Sequence, residues 1–219
     1  MSDVTVTVRG EHEARVAPER ATIHVSVSCD GPERALVVER AMRLAEPVRQ
    51  SITDRRTAGT VVDWTSKRLS VRAERPWSND GKRLAPVFYA SISFSATFAE
   101  ASELSIWVTD VSAWDGVELG GVHWHLTPQT RATVERDVAA QAVGVAVARA
   151  QAYASALGLH DVRPLEIADV GLIARDAAAP GVLKMRGAAF AAADSGAAME
   201  FEPEEIIITA TVEARFLAS

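Results

Sequence analysis

The sequence has little cysteine, no long hydrophobic run and no strong excess of charge. Its single cysteine, Cys29, excludes an internal disulfide and a zinc site built from several cysteines. No segment approaches the ~18–20 uninterrupted apolar residues that a membrane-spanning helix needs, so we expect no membrane insertion. The 23 Lys and Arg residues are outnumbered by 29 Asp and Glu residues, which argues against a general nucleic-acid binder because such proteins need a basic face.

The first ten residues, MSDVTVTVRG, have neither the basic segment nor the apolar run of a signal peptide. We therefore expect a cytoplasmic protein. A periplasmic or secreted location stays open if a leader has been removed from the chain.

Four segments alternate apolar and polar residues, which is the pattern of strands with one buried face. These segments are residues 4–8, 21–29, 88–98 and 206–216. The polar positions of residues 88–98 are mostly Ser and Thr, and a strand with one wet face indicates an antiparallel sheet covered on one side. Further strands are predicted at residues 61–75, with a bulge near Ser66 and Lys67, at 120–126 and at 164–173.

Three segments have the helical spacing of apolar residues. Residues 33–52 predict a helix that kinks or ends near Glu46, because Pro47 removes a backbone hydrogen bond. A short helix is predicted at 101–111, and Thr127 and Pro128 begin a long helix over about 128–157. Its predicted apolar stripe consists of Val134, Val138, Val145, Ala148 and Ala152. We expect this helix to cover a core formed by Val25, Val27, Phe88, Ile92 and Phe94.

Alanine and glycine dominate one segment near the end of the chain. Eleven of the 25 residues in 174–198 are alanine, so the segment lacks the bulky side chains that a core requires. We expect a mobile loop at about residues 174–200. The strands and helices together predict an α+β fold with antiparallel sheets packed against helices.

The order of these motifs along the chain resembles that of a known family. The opening VTVRGEHEARVAPERATIHVSV is similar to the start of the SIMPL domain, with its V-x-G-x-G run followed by Pro-Asp. The matching positions are Val8, Gly10, Pro18, Ala21 and Val27. His12 stands where the second glycine usually falls, and Glu19 where Asp is usual. ARAQAYASALGL at 148–159 is similar to the family's A-x-A-x-A-x-x-L-G signature, and IIITATVEARFLAS is similar to its closing strand.

The resemblance implies one domain over 1–219, built from two related strand–helix–strand halves at about 1–99 and 100–219. The family includes periplasmic or outer-membrane-associated immunogenic proteins and an interactor of a pelle-like kinase. Some relatives are associated with oxidative-stress tolerance, and at least one assembles into a large ring. No enzymatic activity is established for the family, so the resemblance supplies no catalytic residues and implies no cofactor.

Few residues are candidates for chemistry. His123 and His125 lie on one face of a predicted strand at a spacing that a metal site can use, with His12, His24 or a carboxylate as a third ligand. The alternative is two histidines on a solvent-facing strand surface. We expect the acidic residues before the last strand to be exposed to solvent; they are Glu202, Glu204 and Glu205. No serine stands in a nucleophile elbow, and Gly120-Gly121 is not a phosphate loop. Trp77 and Trp114 are candidates for an exposed contact surface or for packing.

Three function classes follow from these observations. The preferred one is a non-catalytic protein, stress-related by resemblance, that acts as a homo-oligomer or with an unidentified protein partner. The second is a small-ligand binder with an apolar pocket between a sheet and the long helix. The third is a metal-dependent enzyme that uses His123 and His125.

Overall fold

The computed structural model describes residues 3–77, 83–173 and 203–219 of the chain. The predicted loop at 174–200 lies outside these residues. The described part is α+β, as predicted, with antiparallel sheets. Its elements are β1 (Val4–Val16), β2 (Arg20–Gly31), α1 (Arg34–Ala58), β3 (Val61–Ser66), β4 (Ser70–Glu74), β5 (Val87–Phe98), α2 (Ala101–Ser112), β6 (Val117–His125), α3 (Pro128–Ala156), β7 (Val162–Asp169) and β8 (Ile206–Ala218).

These elements form two compact units. The first unit contains β1, α3, β7 and β8, with a three-stranded sheet in the order β1-β8-β7. The second unit contains β2 to β6 with α1 and α2, and its sheet has the order β3-β5-β2-β6, with β4 also pairing with β5. The single domain with halves meeting near residue 100 stays a prediction, while the first unit joins strands from both ends of the chain.

In the first unit, β1 and β8 pair without a bulge from Val4 opposite Ala218 to Val16 opposite Ile206. The apolar positions of both strands face α3, which confirms the predicted alternation. The buried residues of α3, however, are Val138, Ala142, Ala146, Ala150 and Ala154. The predicted stripe is therefore confirmed at Val138, partly buried at Val134 and Val145, and wrong at Ala148 and Ala152, which face outward because the helix packs through a row of alanines four residues apart.

Both predicted ends of the long helix are confirmed. The side-chain oxygen of Thr127 accepts a hydrogen bond from the Thr130 backbone N–H at 3.2 Å, and Pro128 occupies the first turn. At the other end, Gly158 has a φ of 75°. The N–H of Leu159 donates to the Ala154 carbonyl at 2.9 Å, which closes a Schellman-type stop.

The core of the second unit lies between its sheet and α1 and α2. The sheet contributes fully buried residues of β2 and β5, and the helices contribute Val48, Ile52, Leu104, Trp107 and Val111. The predicted packing of Val25, Val27 and Phe94 against residues 128–157 is therefore wrong, since α1 and α2 fill that position. Trp107 is fully buried, and its indole N–H donates to the Ser51 hydroxyl at 3.0 Å.

The structure of the second unit also differs from two local predictions. The helix α1 does not end near Glu46 but continues past Pro47 to Ala58, and Gly59 then terminates it with a φ of 85°. Burial of Ala45 and Val48 on either side of the exposed Pro47 holds the helix together despite the missing hydrogen bond. The expected bulge near Ser66 is a break of three residues between β3 and β4.

Candidate functional site

The second unit has a polar sheet surface, here called the open face, on the side of the sheet opposite α1 and α2. Its polar side chains, mostly hydroxyls, stand directly across from one another on the two central strands. The pairs between β2 and β5 are Thr22 with Thr97, His24 with Ser95, Ser26 with Ser93, and Ser28 with Ser91. No helix of this unit packs on these positions in the described part of the chain.

His123 and His125 project from β6 onto the open face, as the strand pattern predicts. Their rings stack with centroids 5.5 Å apart and planes inclined by 25°. Nδ1 of His125 lies 3.3 Å from the Leu126 carbonyl and Nε2 lies 2.9 Å from the Thr22 hydroxyl. Because a carbonyl only accepts, Nδ1 is the donor to Leu126, and in a neutral ring Nε2 then accepts from Thr22, whose oxygen lies 2.8 Å from that of Thr97.

A metal ion bound by His123 and His125 through Nε2 of His125 would have to displace the Thr22 hydroxyl from that nitrogen. Across residues 3–77, 83–173 and 203–219, no three His, Cys, Asp or Glu side chains are grouped to hold a metal ion. His24 lies on the open face and is exposed, whereas His12 lies on β1 in the first unit. A metal site at His123 and His125 stays a hypothesis.

The remaining candidates lie apart. Glu204 and Glu205 are exposed just before β8, and Glu202 lies outside the described residues. Trp77 is 64% exposed, and the Arg83 guanidinium lies 5.1 Å from the centre of its ring. Trp114 packs against the core of the second unit, so only Trp77 of this pair offers an exposed aromatic surface.

Two adjacent cavities occupy the open face, and both include Ser26 and Glu118 in their linings. The first, of about 410 Å³, also includes Lys67 and Ser93. The second, of about 600 Å³, includes Asp30, Ser70, Arg72, Tyr89 and Ser91. The Arg72 guanidinium lies 5.0 Å from the centre of the Tyr89 ring. Sequence reasoning missed these charged residues, because only the pairing of strands distant in sequence brings them together.

The first unit has an apolar groove, here called the β7 groove, between α3 and the edge strand β7. Its volume is about 420 Å³. Its lining includes Val143 and Val147 of α3 and Val162, Pro164, Leu165 and Ile167 of β7. Leu165 and Ile167 are 55% and 56% exposed. The β7 groove thus lies between a sheet and the long helix, where an apolar pocket was predicted, and the binding of a ligand there stays a hypothesis.

The β7 groove is open because α3 lies mainly over β1 and β8. Within the described residues, β7 pairs only with β8, so its other edge is free. The register slips between Pro164 and Glu166, and Glu166 forms an ion pair with Arg215 at 3.1 Å. Sequence reasoning predicted a strand here but singled out no residue. The feature of the sequence that could have indicated the groove is a pair of bulky apolar residues, Leu165 and Ile167, next to a proline.

Two ionisable groups have shifted pKa values. Burial raises the pKa of the Cys29 thiol, which donates to the Val37 carbonyl at 3.3 Å. The pKa of Glu213 is lowered because its carboxylate accepts from the Arg9 guanidinium at 2.9 Å and from the Gly171 backbone N–H at 3.1 Å. A raised pKa lowers the fraction of the thiolate, which is the reactive form of the group, at neutral pH.

Comparison with known proteins agrees with the resemblance in the sequence. No curated protein matches the chain. Separately, no helix among the described residues is long and apolar enough to cross a membrane. The pattern of the SIMPL family, described as "Protein of unknown function (DUF541)", matches residues 6–216, from β1 into β8. The chain therefore belongs to the SIMPL family.

Proposed function

We propose that this SIMPL protein acts by association with a second copy of itself through the β7 groove, and not by catalysis. The observation that carries the proposal is the exposure of Leu165 and Ile167 beside an apolar groove and a strand edge that has no partner among the described residues. Contiguous exposed apolar surface of this kind marks interaction sites on soluble proteins. A free strand edge adds backbone groups that a second chain can bind.

The residues of β7 complement themselves across a two-fold axis. If two copies of β7 lie antiparallel with Glu166 at the axis, Leu165 of one copy meets Ile167 of the other. The same arrangement places Arg163 opposite Asp169. Contacts of this reciprocal kind are the requirement for a symmetric dimer interface.

Side-chain packing supplies more of this contact than backbone hydrogen bonds. Pro164 has no N–H to donate, and the irregular register beside it interrupts the strand edge. Two Glu166 carboxylates would meet at the axis, and the ion pair of each with Arg215 of its own chain offsets their repulsion.

The candidate reactive groups support a non-catalytic role. The pKa of Cys29 is raised by burial, which disfavours the nucleophilic thiolate. Both ring nitrogens of His125 are engaged, one with the Leu126 carbonyl and one with the Thr22 hydroxyl. These contacts disfavour nucleophilic attack by Cys29 and metal binding by His125.

A cysteine placed on the two-fold axis tests the arrangement. In a Cys29→Ser background, Glu166→Cys should form an intermolecular disulfide under mild oxidation, because residue 166 would face itself at about 5–6 Å between Cα atoms. Thr109→Cys, at an exposed position on α2, is the control and should remain uncrosslinked. A Glu166→Cys protein that stays uncrosslinked, or crosslinks no faster than the control, contradicts the two-fold contact.

The same groove supports a second candidate, the binding of a small apolar molecule. Its volume of about 420 Å³ falls within the range of roughly 300–1,000 Å³ found for ligand sites. Fluorescence of the probe anilinonaphthalene sulfonate tests this candidate. Saturable binding that Ile167→Asp abolishes would support it, and binding that the substitution leaves unchanged would contradict it.

A further inference from the structure

The open face carries features that association through the β7 groove does not use. Its two cavities, of about 410 and 600 Å³, each fall within the size range of small-molecule sites. They are contiguous, since Ser26 and Glu118 line both. The open face therefore forms a continuous trough that is large enough for a small ligand.

Each cavity is lined by opposite charges. In the first cavity, Lys67 follows β3 and Glu118 lies on β6. In the second, Arg72 lies on β4, with Asp30 and Glu118 as the anions. Lys67, Glu118 and Asp30 form no ion pair within the described part of the chain. The trough thus offers a cation along one side and an anion along the other.

The separation of these charges sets the length of a complementary ligand. The strand order β3-β5-β2-β6 puts three strand spacings between the two sides, or roughly 14 Å between backbones at about 4.8 Å per spacing. Lys67 and Glu118 both line the first cavity, and the length of a lysine and a glutamate side chain allows their charges to lie closer together than the backbones. A ligand with charged ends several ångströms apart can therefore reach both residues.

The floor between the charges is lined with hydroxyl groups that have no partner. Ser26, Ser91, Ser93 and Ser95 are partly buried, and none has a side-chain hydrogen bond among the described residues. Ser28 differs, because its hydroxyl donates to Glu118 at 3.1 Å. Free hydroxyls can both donate to and accept from the polar middle of a ligand, such as a peptide group.

We infer that the open face binds a small zwitterion of short-peptide length, with its carboxylate at Lys67 and its ammonium group at Glu118. A purely anionic ligand would be repelled by Glu118, and a neutral one would leave both charges uncompensated. Complementary charges fix the orientation of such a ligand.

Titration calorimetry with trialanine tests the inference. Trialanine with free ends spans up to about 10 Å and should bind saturably. The N-acetylated, C-amidated form has the same peptide groups but no charged ends, and free alanine has charged ends that are too close together. Both should bind at least tenfold more weakly. Equal binding of the capped form, equal binding of alanine, or no binding of trialanine would each overturn the inference.

Charge-reversal variants test whether Lys67 and Glu118 contact the ligand directly. Lys67→Glu and Glu118→Lys should each weaken trialanine binding about fivefold, the upper end of the range for one exposed ion pair, because each reversal also replaces an attraction by a repulsion. The double variant should regain affinity, because the ligand can bind in the reverse direction. Arg56→Glu, on an exposed position of α1, should leave binding unchanged. Unchanged affinity in both single variants, or no recovery in the double variant, would overturn the assignment.

Discussion

Gly10 on β1 lies directly against Ala146 of α3, closer than any side chain at position 10 would allow. A β-carbon on Gly10 would stand 2.7 Å from the backbone nitrogen of Ala146 and 2.9 Å from its β-carbon, and would overlap the Ala142 carbonyl oxygen. The strand and the helix therefore meet backbone to backbone. This contact gives a physical reason for the glycine in the opening motif and for the alanine row on the helix.

The substitution Gly10→Ala should therefore destabilise the protein. Because backbone atoms must move to make room, we expect the free energy of unfolding to fall by about 1–3 kcal/mol, measured by urea denaturation. Gly144→Ala is the matched control, since a β-carbon there meets nothing within 4 Å. On an exposed helix position it should stabilise by about 0.5–1 kcal/mol. A neutral Gly10→Ala would show that α3 does not lie this close to β1.

The alanine row also shows what the sequence could not predict. Residues 138–156 are so rich in alanine that buried Ala142 and Ala146 look the same as exposed Ala148 and Ala152. Hydrophobicity alone does not distinguish the faces of such a helix. The deciding factor is close approach to Gly10, which depends on an element more than a hundred residues away in sequence.

The sequence predicted which face of each strand is buried, but it did not predict which helix covers that face. Strict alternation from Ile23 to Val27 and from Ala90 to Phe98 placed the correct residues inward. All three helices have an apolar face, so the sequence could not indicate which helix covers Phe94. The same limit applies to the open face. The orientation of His123 and His125 follows from the alternation of the strand, whereas the presence of Lys67 and Glu118 in the lining of one cavity depends on the order of the strands in the sheet.

Replacing Phe94 tests the core of the second unit. Phe94 is only 3% exposed, so Phe94→Ala should lower the free energy of unfolding by about 3–5 kcal/mol. Phe88→Ala on the same face of β5 is the control, and it should cost less because Phe88 is only partly buried. Tryptophan fluorescence during denaturation provides the measurement. A loss below about 1 kcal/mol for Phe94→Ala would contradict the assigned core.

The contacts of Glu213 predict a pH-dependent contribution to stability. Hydrogen bonds from Arg9 and Gly171 lower its folded-state pKa below the ordinary value of 4.5. A lowered carboxyl pKa stabilises the fold above the unfolded-state pKa, and this stabilisation is lost as the pH falls through the folded-state pKa. Wild type should therefore exceed Glu213→Gln in stability at neutral pH, and the difference should vanish in acid.

Thermal melts from pH 7 downward measure that difference. Glu11→Gln, an exposed carboxylate on the same sheet, serves as the control and should show no comparable dependence on pH. A gap between wild type and Glu213→Gln that is constant, or that widens in acid, would be inconsistent with the lowered pKa.

The native mass of the protein tests most directly whether it acts by association through the β7 groove. Light scattering and native mass spectrometry should find a dimer or a larger closed assembly at high micromolar concentration. Ile167→Asp should shift the protein to the monomer without unfolding it. Ile106→Asp on α2 should keep the wild-type mass, since Ile106 is 55% exposed, close to the 56% of Ile167. A monomeric wild type, or an assembly that survives Ile167→Asp, would contradict the account.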